Sequence, residues 1–301
     1  MQRNFLAFSI VAAAVVAGLA GRADAKVHVV TTIQTFKSLA EEVGGDKVEV
    51  SALVGDAVDP HFNDARPSYA VLLNRADLLV YVGLELEKGW LPPLLEQSRN
   101  PEIQISQPGN LDASKSGIRI QDVGLGVSRT QGDVHPLGNP HYHLPPDDAL
   151  AVARAIRDRL KALDPGDAKA FDDGLANFER KLAAKRKEWE TRAKPLAGVK
   201  VVTYHKSWSY FDTWLGLQEI GYVEPKPGIP PDPQHLAQLV TDAKAQGAKI
   251  LIMESYYPRN TAQRVAALSG MKLAVLPSDV ISGQSYFTLI DGLLDQLLKS
   301  I

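Results

Sequence analysis

The chain contains no cysteine. That absence excludes disulfides, thiolate metal sites, cysteine nucleophiles and thiol redox chemistry. Any metal held here must be held by nitrogen and oxygen. Neither sign of charge is in surplus: 33 Lys and Arg against 35 Asp and Glu leave −2 with His neutral. A basic footprint for nucleic acid is therefore lacking as a bulk property. Beyond residue 25 no segment is apolar for long enough to span a bilayer. The hydrolytic signature H-E-x-x-H does not occur, and no repeat of fixed short period is visible.

What is present begins with an unusual first 25 residues. Arg3 precedes an almost wholly apolar run over 5–20, and Ala23-Asp24-Ala25 follows as an A-x-A pattern. A positive start, an apolar middle and small residues before a cut describe a secretory signal peptide, with cleavage after Ala25. The run is short for an uncleaved membrane anchor. The protein is thus expected to be exported, and its 301 residues leave room for two domains of ordinary size.

Short apolar segments at 26–32, 48–54, 78–82, 200–204, 249–253 and 272–276 read as strands. Helical spacing at 36–43, 69–76, 86–99, 210–220, 235–246, 261–269 and 286–298 alternates with them, which implies parallel βαβ units. The stretch 112–140 is rich in Gly, Ser, Asp and Pro and reads mostly as loop. A helix at 146–163 opens with Asp147-Asp148. The longest helical signal is 165–194, with Asp164 as N-cap and Pro165 at the first helical position. Phe171, Leu175, Phe178, Leu182 and Trp189 supply its apolar stripe. A helix of that length spans about 45 Å and suits a connector between lobes. The expected fold is α/β: two lobes, each with a mainly parallel sheet flanked by helices, joined by one long rigid helix. The expected division is a signal peptide at 1–25, an N-terminal lobe at 26–163, the connecting helix at 164–194 and a C-terminal lobe at 195–301.

Four segments carry chemistry: Asp59-Pro60-His61, Asn139-Pro140-His141-Tyr142-His143, Thr203-Tyr204-His205-Lys206-Ser207 and Leu276-Pro277-Ser278-Asp279. Parallel sheets bind ligands beyond the carboxyl ends of their strands, and His205 and Asp279 fall at or just past such ends. Three imidazoles and one carboxylate can complete a tetrahedral shell around Zn²⁺. Each residue alone has a plainer use: a lone loop His is usually solvated, and an Asp after a strand is often a cap. The joint pattern carries the reading. His28 and His235 read as structural and exposed. One of His141 and His143 is expected to ligate, and His135 reads as solvated, with transient metal capture as the alternative. Glu254 is the main rival to Asp279 for the cleft, but its preferred role is to hold a His ring nitrogen.

These segments resemble the metal-binding solute-binding proteins of ABC transporters, the cluster A-I group that includes ZnuA-like and TroA-like proteins. The resemblance runs through VVTTIQTFKSLAEEVGGDKVEVSALVGDAVDPH, RADLLVYVGLELEKGWL, GNPHYHL, TYHKSWSYF, EIGYVEPKPGIPPDPQHL, ILIMESYYPRNTAQRVA and SYFTLIDGLLDQLL, nearly the whole mature chain. It implies two α/β lobes with metal between them, and ligands at His61, His141 and His205. A His at the third place resembles zinc members, whereas manganese members tend to carry Glu. Asp279 matches the TroA-like fourth ligand, a place some zinc members leave to water. The long His-rich loop and the cysteines of some members are missing here. The resemblance implies a monomeric, non-enzymatic periplasmic protein that delivers Zn²⁺ to a permease and its ATPase. A manganese or iron member is the alternative. A zinc hydrolase, with Glu254 as base, and a metal-dependent adhesin are the rivals from other classes.

Overall fold

The computed structural model describes residues 26–121, 135–226 and 228–301. The expected signal peptide and the middle of the 112–140 stretch lie outside them. Strands β1 (Val27–Thr31), β2 (Val48–Ala52), β3 (Leu78–Tyr81) and β4 (Asn110–Asp112) form one parallel sheet in the order β2-β1-β3-β4. Strands β5 (Lys200–Thr203), β6 (Gln218–Tyr222), β7 (Ile250–Glu254) and β8 (Lys272–Leu276) form a second, in the order β6-β5-β7-β8. Each sheet places its first strand between its second and third. The crevice at such a switch point lies beyond the carboxyl ends of the strands and is where this architecture holds ligands.

The central strands are short runs buried on both faces: β7 is buried throughout, as continuous apolar strands of parallel sheets are. One face of the N-terminal sheet is covered by α2 (Pro67–Asn74) and α3 (Leu91–Ser98), through Leu73, Leu91 and Leu94. One face of the C-terminal sheet is covered by α7 (Pro233–Gln246) and α8 (Arg259–Ser269), through Leu239, Ala262 and Val265. The remaining two faces meet a single apolar core shared by α1 (Gln34–Gly44), α4 (Pro146–Leu163), α5 (Ala168–Ala193), α6 (Ser209–Leu215) and α9 (Tyr286–Leu298).

Helix α5 joins the lobes. Its expected stripe, Phe171, Leu175, Phe178, Leu182 and Trp189, is buried. Fully burying one large apolar side chain is worth about 1.5–3 kcal/mol, so this face rather than intrinsic propensity holds the helix in place. Asp164 caps as expected, accepting from Gly166 N, but the turn Pro165–Asp167 is 3-10 and the α-helix starts at Ala168. Two strands escaped the sequence reading. The helix placed at 210–220 stops at left-handed Gly216, and Gln218–Tyr222 pairs with β5 as an edge strand. Strand β4 is a three-residue edge at the start of the stretch read as loop. Among the described residues no helix is long and apolar enough to cross a membrane.

Candidate metal centre

His61 lies in a 3-10 turn, Pro60–Phe62, after β2. Asp59 shapes the turn by accepting from both His61 N (2.9 Å) and His61 Nδ1 (2.7 Å). Trp90 pins it from beneath, its Nε1 donating to Pro60 O at 2.9 Å. His141 follows a turn in which Asn139 Oδ1 accepts from His141 N at 3.0 Å. Asn139 also reaches the other lobe: its Nδ2 donates to Lys206 O (2.9 Å), and its carbonyl accepts from Tyr210 Oη (2.8 Å). His205 follows β5, and its Nδ1 donates to Glu224 Oε2 at 2.8 Å. Glu224 stands just past the edge strand β6 and also accepts from Gly228 N.

The fold brings the three rings together. Centroids lie 5.0 Å apart for His61 and His141, and 5.3 Å for His205 with each of them. One nitrogen from each ring lies within 4.8 Å of the others, and all three residues are buried. The hydrogen bonds to Asp59 and Glu224 fix Nδ1 as the protonated nitrogen of His61 and His205, which leaves Nε2 as a lone-pair donor. A carboxylate behind an imidazole is the usual way proteins orient and sharpen a metal-binding His. Among the described residues His141 Nε2 is buried with no hydrogen-bond partner, an orphan that a bound cation would satisfy.

Electrostatics differ from ring to ring. Burial, with the neighbouring imidazoles, holds His141 well below the usual His range. Burial also works against charge on His205, but the Glu224 hydrogen bond and the nearby Glu254 carboxylate outweigh it and raise its pKa. Burial opposes charge on Asp59 too, yet its bonds to His61 bring its pKa below the ordinary value.

A fourth imidazole lies beside His61, although among the described residues the set whose ligand nitrogens all lie within 4.8 Å of one another is His61, His141 and His205. His135, read from sequence as solvated, is half-buried, with its ring 5.2 Å from His61 and 6.4 Å from His141. Its Nδ1 donates to Leu84 O (3.0 Å), and its Nε2 lies 3.2 Å from His61 Nε2. Two ligand atoms on one tetrahedral Zn²⁺, with bonds of about 2.0–2.1 Å, are separated by roughly 3.3–3.4 Å. In sequence His135 is open to metal capture only as the alternative to solvation, because it follows a stretch without periodicity.

Other expected residues are placed differently. Asp279 does not join the cluster. Its carboxylate accepts from Gln34 N (2.8 Å), Thr35 N (2.7 Å), Thr35 Oγ1 (2.6 Å) and Val280 N (2.8 Å), and so sits on the N-terminus of α1. A carboxylate suits that end of a helix. Glu254, fully buried, is not the residue on a His ring nitrogen; Glu224 takes that role at His205. Among the described residues neither Glu254 oxygen meets a donor at normal geometry. Burial pushes its pKa up to about 7, although the His205 charge and the neighbouring Ser207 hydroxyl pull the other way. His143 turns away from the rings and bonds Ser278 O through Nε2 at 2.7 Å. His28 sits at the surface between Glu49 and Asp77, and His235 bonds Tyr222 O in the first turn of α7.

The family model for "zinc-uptake complex component A, periplasmic" matches residues 29–300. The chain belongs to this family. A family relative, the high-affinity zinc uptake system protein ZnuA of Yersinia pestis, is 27% identical over 293 residues, covering 92% of each chain. A crystal structure of ZnuA superposes with a TM-score of 0.77 at 23% identity, over 92% of this chain and 99% of that one. The solute-binding protein FpvC of Pseudomonas aeruginosa, solved in complex with Mn²⁺, superposes with a TM-score of 0.78 at 22% identity, over 92% and 99%. These two likenesses establish the shared fold. Within that fold, both lobes of this family member contribute imidazoles to one buried point.

Proposed function

We propose that this protein captures Zn²⁺ in the periplasm and delivers it to the permease of an ABC-type importer, driven by that importer's ATPase. The observation that supports this reading is the meeting of His61, His141 and His205, buried, with at least two of them presenting Nε2 by virtue of a carboxylate on Nδ1. Zinc is favoured over manganese because imidazole nitrogen suits the more tightly bound end of the divalent series. Holding is favoured over hydrolysis because all three rings are buried, whereas a catalytic zinc needs an open position for water.

Two donors compete for the fourth place. His135 Nε2 is already 3.2 Å from His61 Nε2. Asp279 would have to exchange its bonds at the start of α1 for the ion.

Competitive chelator titration of the purified protein tests the reading. His61→Ala, His141→Ala and His205→Ala should each weaken zinc binding by more than the roughly 10- to 100-fold typical of losing an orienting partner. His28→Ala and His235→Ala should bind as the parent does. A His205→Ala protein that holds zinc as tightly as the parent overturns the site, and Mn²⁺ outcompeting Zn²⁺ overturns the choice of metal. A loss in His135→Ala but not in Asp279→Ala assigns the fourth place to the imidazole; the reverse assigns it to the carboxylate.

A further inference from the structure

Behind the metal centre the N-terminal lobe contains a turn in an unusual conformation. Gly83, Leu84 and Glu85 follow β3 in succession with φ of 80°, 51° and 68°. Non-glycine residues seldom adopt the left-handed region, and two side by side are rarer still. Something must hold them there. Leu84 is no compensation by sequence, since Asn or Gly would be the ordinary choice.

Leu86 N closes the turn by donating to Gly83 O at 3.0 Å, and Glu87 anchors its entry. Glu87 is buried, and one carboxylate oxygen accepts from Thr32 Oγ1 and Val82 N, both at 2.7 Å. The other accepts from Gly83 N at 3.1 Å, at the first left-handed residue. The turn is also gripped from the far side, because Tyr142 Oη donates to Val82 O at 2.6 Å, and Tyr142 directly follows His141. What the turn presents is the Leu84 carbonyl, which accepts from His135 Nδ1. That bond fixes the ring's tautomer and leaves Nε2 facing His61.

We infer that Glu87 is a positioning residue for metal binding: it locks the Gly83–Leu84–Glu85 turn so that the Leu84 carbonyl orients His135 toward His61. The inference rests on the zinc-binding reading above and adds to it a residue that touches neither the ion nor an imidazole. Burial pushes the Glu87 pKa up to about 7 despite its three donors, so the amide Gln is a fair mimic of its shape. Gln can keep the two bonds of one oxygen, but it sets an N–H against Gly83 N–H where the second oxygen accepts. Glu87→Gln therefore loosens the turn rather than the core.

The test is a double-mutant cycle on zinc affinity and dissociation rate, by chelator competition, with the parent, Glu87→Gln, His135→Ala and the double variant. Loss of a group that orients a ligand costs about 10- to 100-fold in metal affinity. Glu87 acts one bond further away, so a loss near tenfold is expected. In the His135→Ala background the same change should cost less than about twofold, because the ring it positions is gone. Three results overturn the inference. Glu87→Gln binds as the parent does; or it loses equally in both backgrounds, which marks a purely structural carboxylate; or His135→Ala itself binds as the parent does. Should Glu87→Gln fail to fold, Gly83→Ala attacks the same turn without touching Glu87. Its Cβ would stand 2.1 Å from Asp112 Oδ1 in a backbone with φ of 80°, and the same cycle is read with it. Zinc binding that is absent in the parent, or unaffected by His61→Ala, refutes the functional reading instead, before any Glu87 variant is made.

Discussion

At the scale of single residues, the imidazoles of His141 and His205, 5.3 Å apart, have pKa values displaced in opposite directions. A proton and a zinc ion compete for the same lone pair, so affinity falls as pH falls. The pKa of His205 is raised from 6.5 by Glu224 and Glu254 against its burial, so proton competition there starts above that value. The pKa of His141 is held well below 6.5 by burial and its neighbours, so it stays neutral over much of the range and displaces little. Zinc affinity should therefore drop between about pH 7 and pH 5 with fewer than three protons displaced per ion, a shallower fall than three ordinary imidazoles would give. Affinity measured at half-unit steps checks the slope. Glu224→Gln, which replaces the charged acceptor on His205 Nδ1 with a neutral amide oxygen, should move the fall to lower pH; an unchanged curve would show that the Glu224 charge does not set it. Glu224 was not legible in the chain: it lies 19 residues from His205 and reaches it only through the pairing of β6 with β5. Asp59 is the opposite case, because two residues and a proline place it on His61 whatever the distant fold does. Asp279 illustrates a third outcome, in which a residue type suited to two purposes, ligand and helix cap, is found here on the helix.

At the scale of elements, legibility followed burial. The central strands β1, β3, β5 and β7 are apolar runs because both faces are covered, and they stand out from helical spacing. Of the four edge strands, β2 and β8 are still legible, but β4 and β6 are not. Strand β6 reads Gln-Glu-Ile-Gly-Tyr with no residue fully buried, so its pattern merges with the helix before it. Strand β4 is too short to show any period. The long helix was legible from its stripe, but its closest approach was not. A Cβ on Gly174 would stand 2.1 Å from the Val43 carbonyl oxygen at the end of α1, so α5 lies against that end with no room for a methyl group. Gly174→Ala should destabilise the protein by on the order of 1–3 kcal/mol, the usual cost of overpacking, despite Ala's better helix propensity. Gly292, in α9, has open space where its Cβ would be. Gly292→Ala should stabilise by up to about 1 kcal/mol through propensity alone. Thermal melts of the metal-free variants decide, and a Gly174→Ala protein melting at or above the parent would show that the two helices are not in close contact.

At the scale of the whole molecule, the two-lobed plan was legible because each half of the chain alternates strand and helix and offers two candidate ligands. What could not be read was that the lobes share an interior. The core that begins with Val29 and Phe36 continues through Phe178 and Trp189 of α5 to Ile252, Leu276 and Leu293 without a break. Trp189 meets Tyr286 of α9 and Trp214 edge to face and lies tilted against Phe287 of α9. Polar ties run across the same boundary: Asp279 to α1, Tyr286 Oη to Leu144 O, Asp56 to Ser282, and Asn139 to Lys206. Hinge closure opens and shuts a cleft about flexible crossovers. Here that motion would have to tear a packed core and bend an α-helix of 26 residues, in which no proline and only one glycine interrupt the ladder; sharp bending generally needs more than that. Zinc loading should therefore leave the lobes nearly fixed and act locally, on residues 135–143 and on the turn after β5, where the ligands and their supports lie. Hydrogen exchange with and without zinc measures this. The expected result is protection gained at 135–143 and around His205, with α5 and the shared core equally protected in both states. Loss of protection through the middle of α5 in the metal-free protein would mean that the shared core opens, and that the lobes move as separate bodies after all.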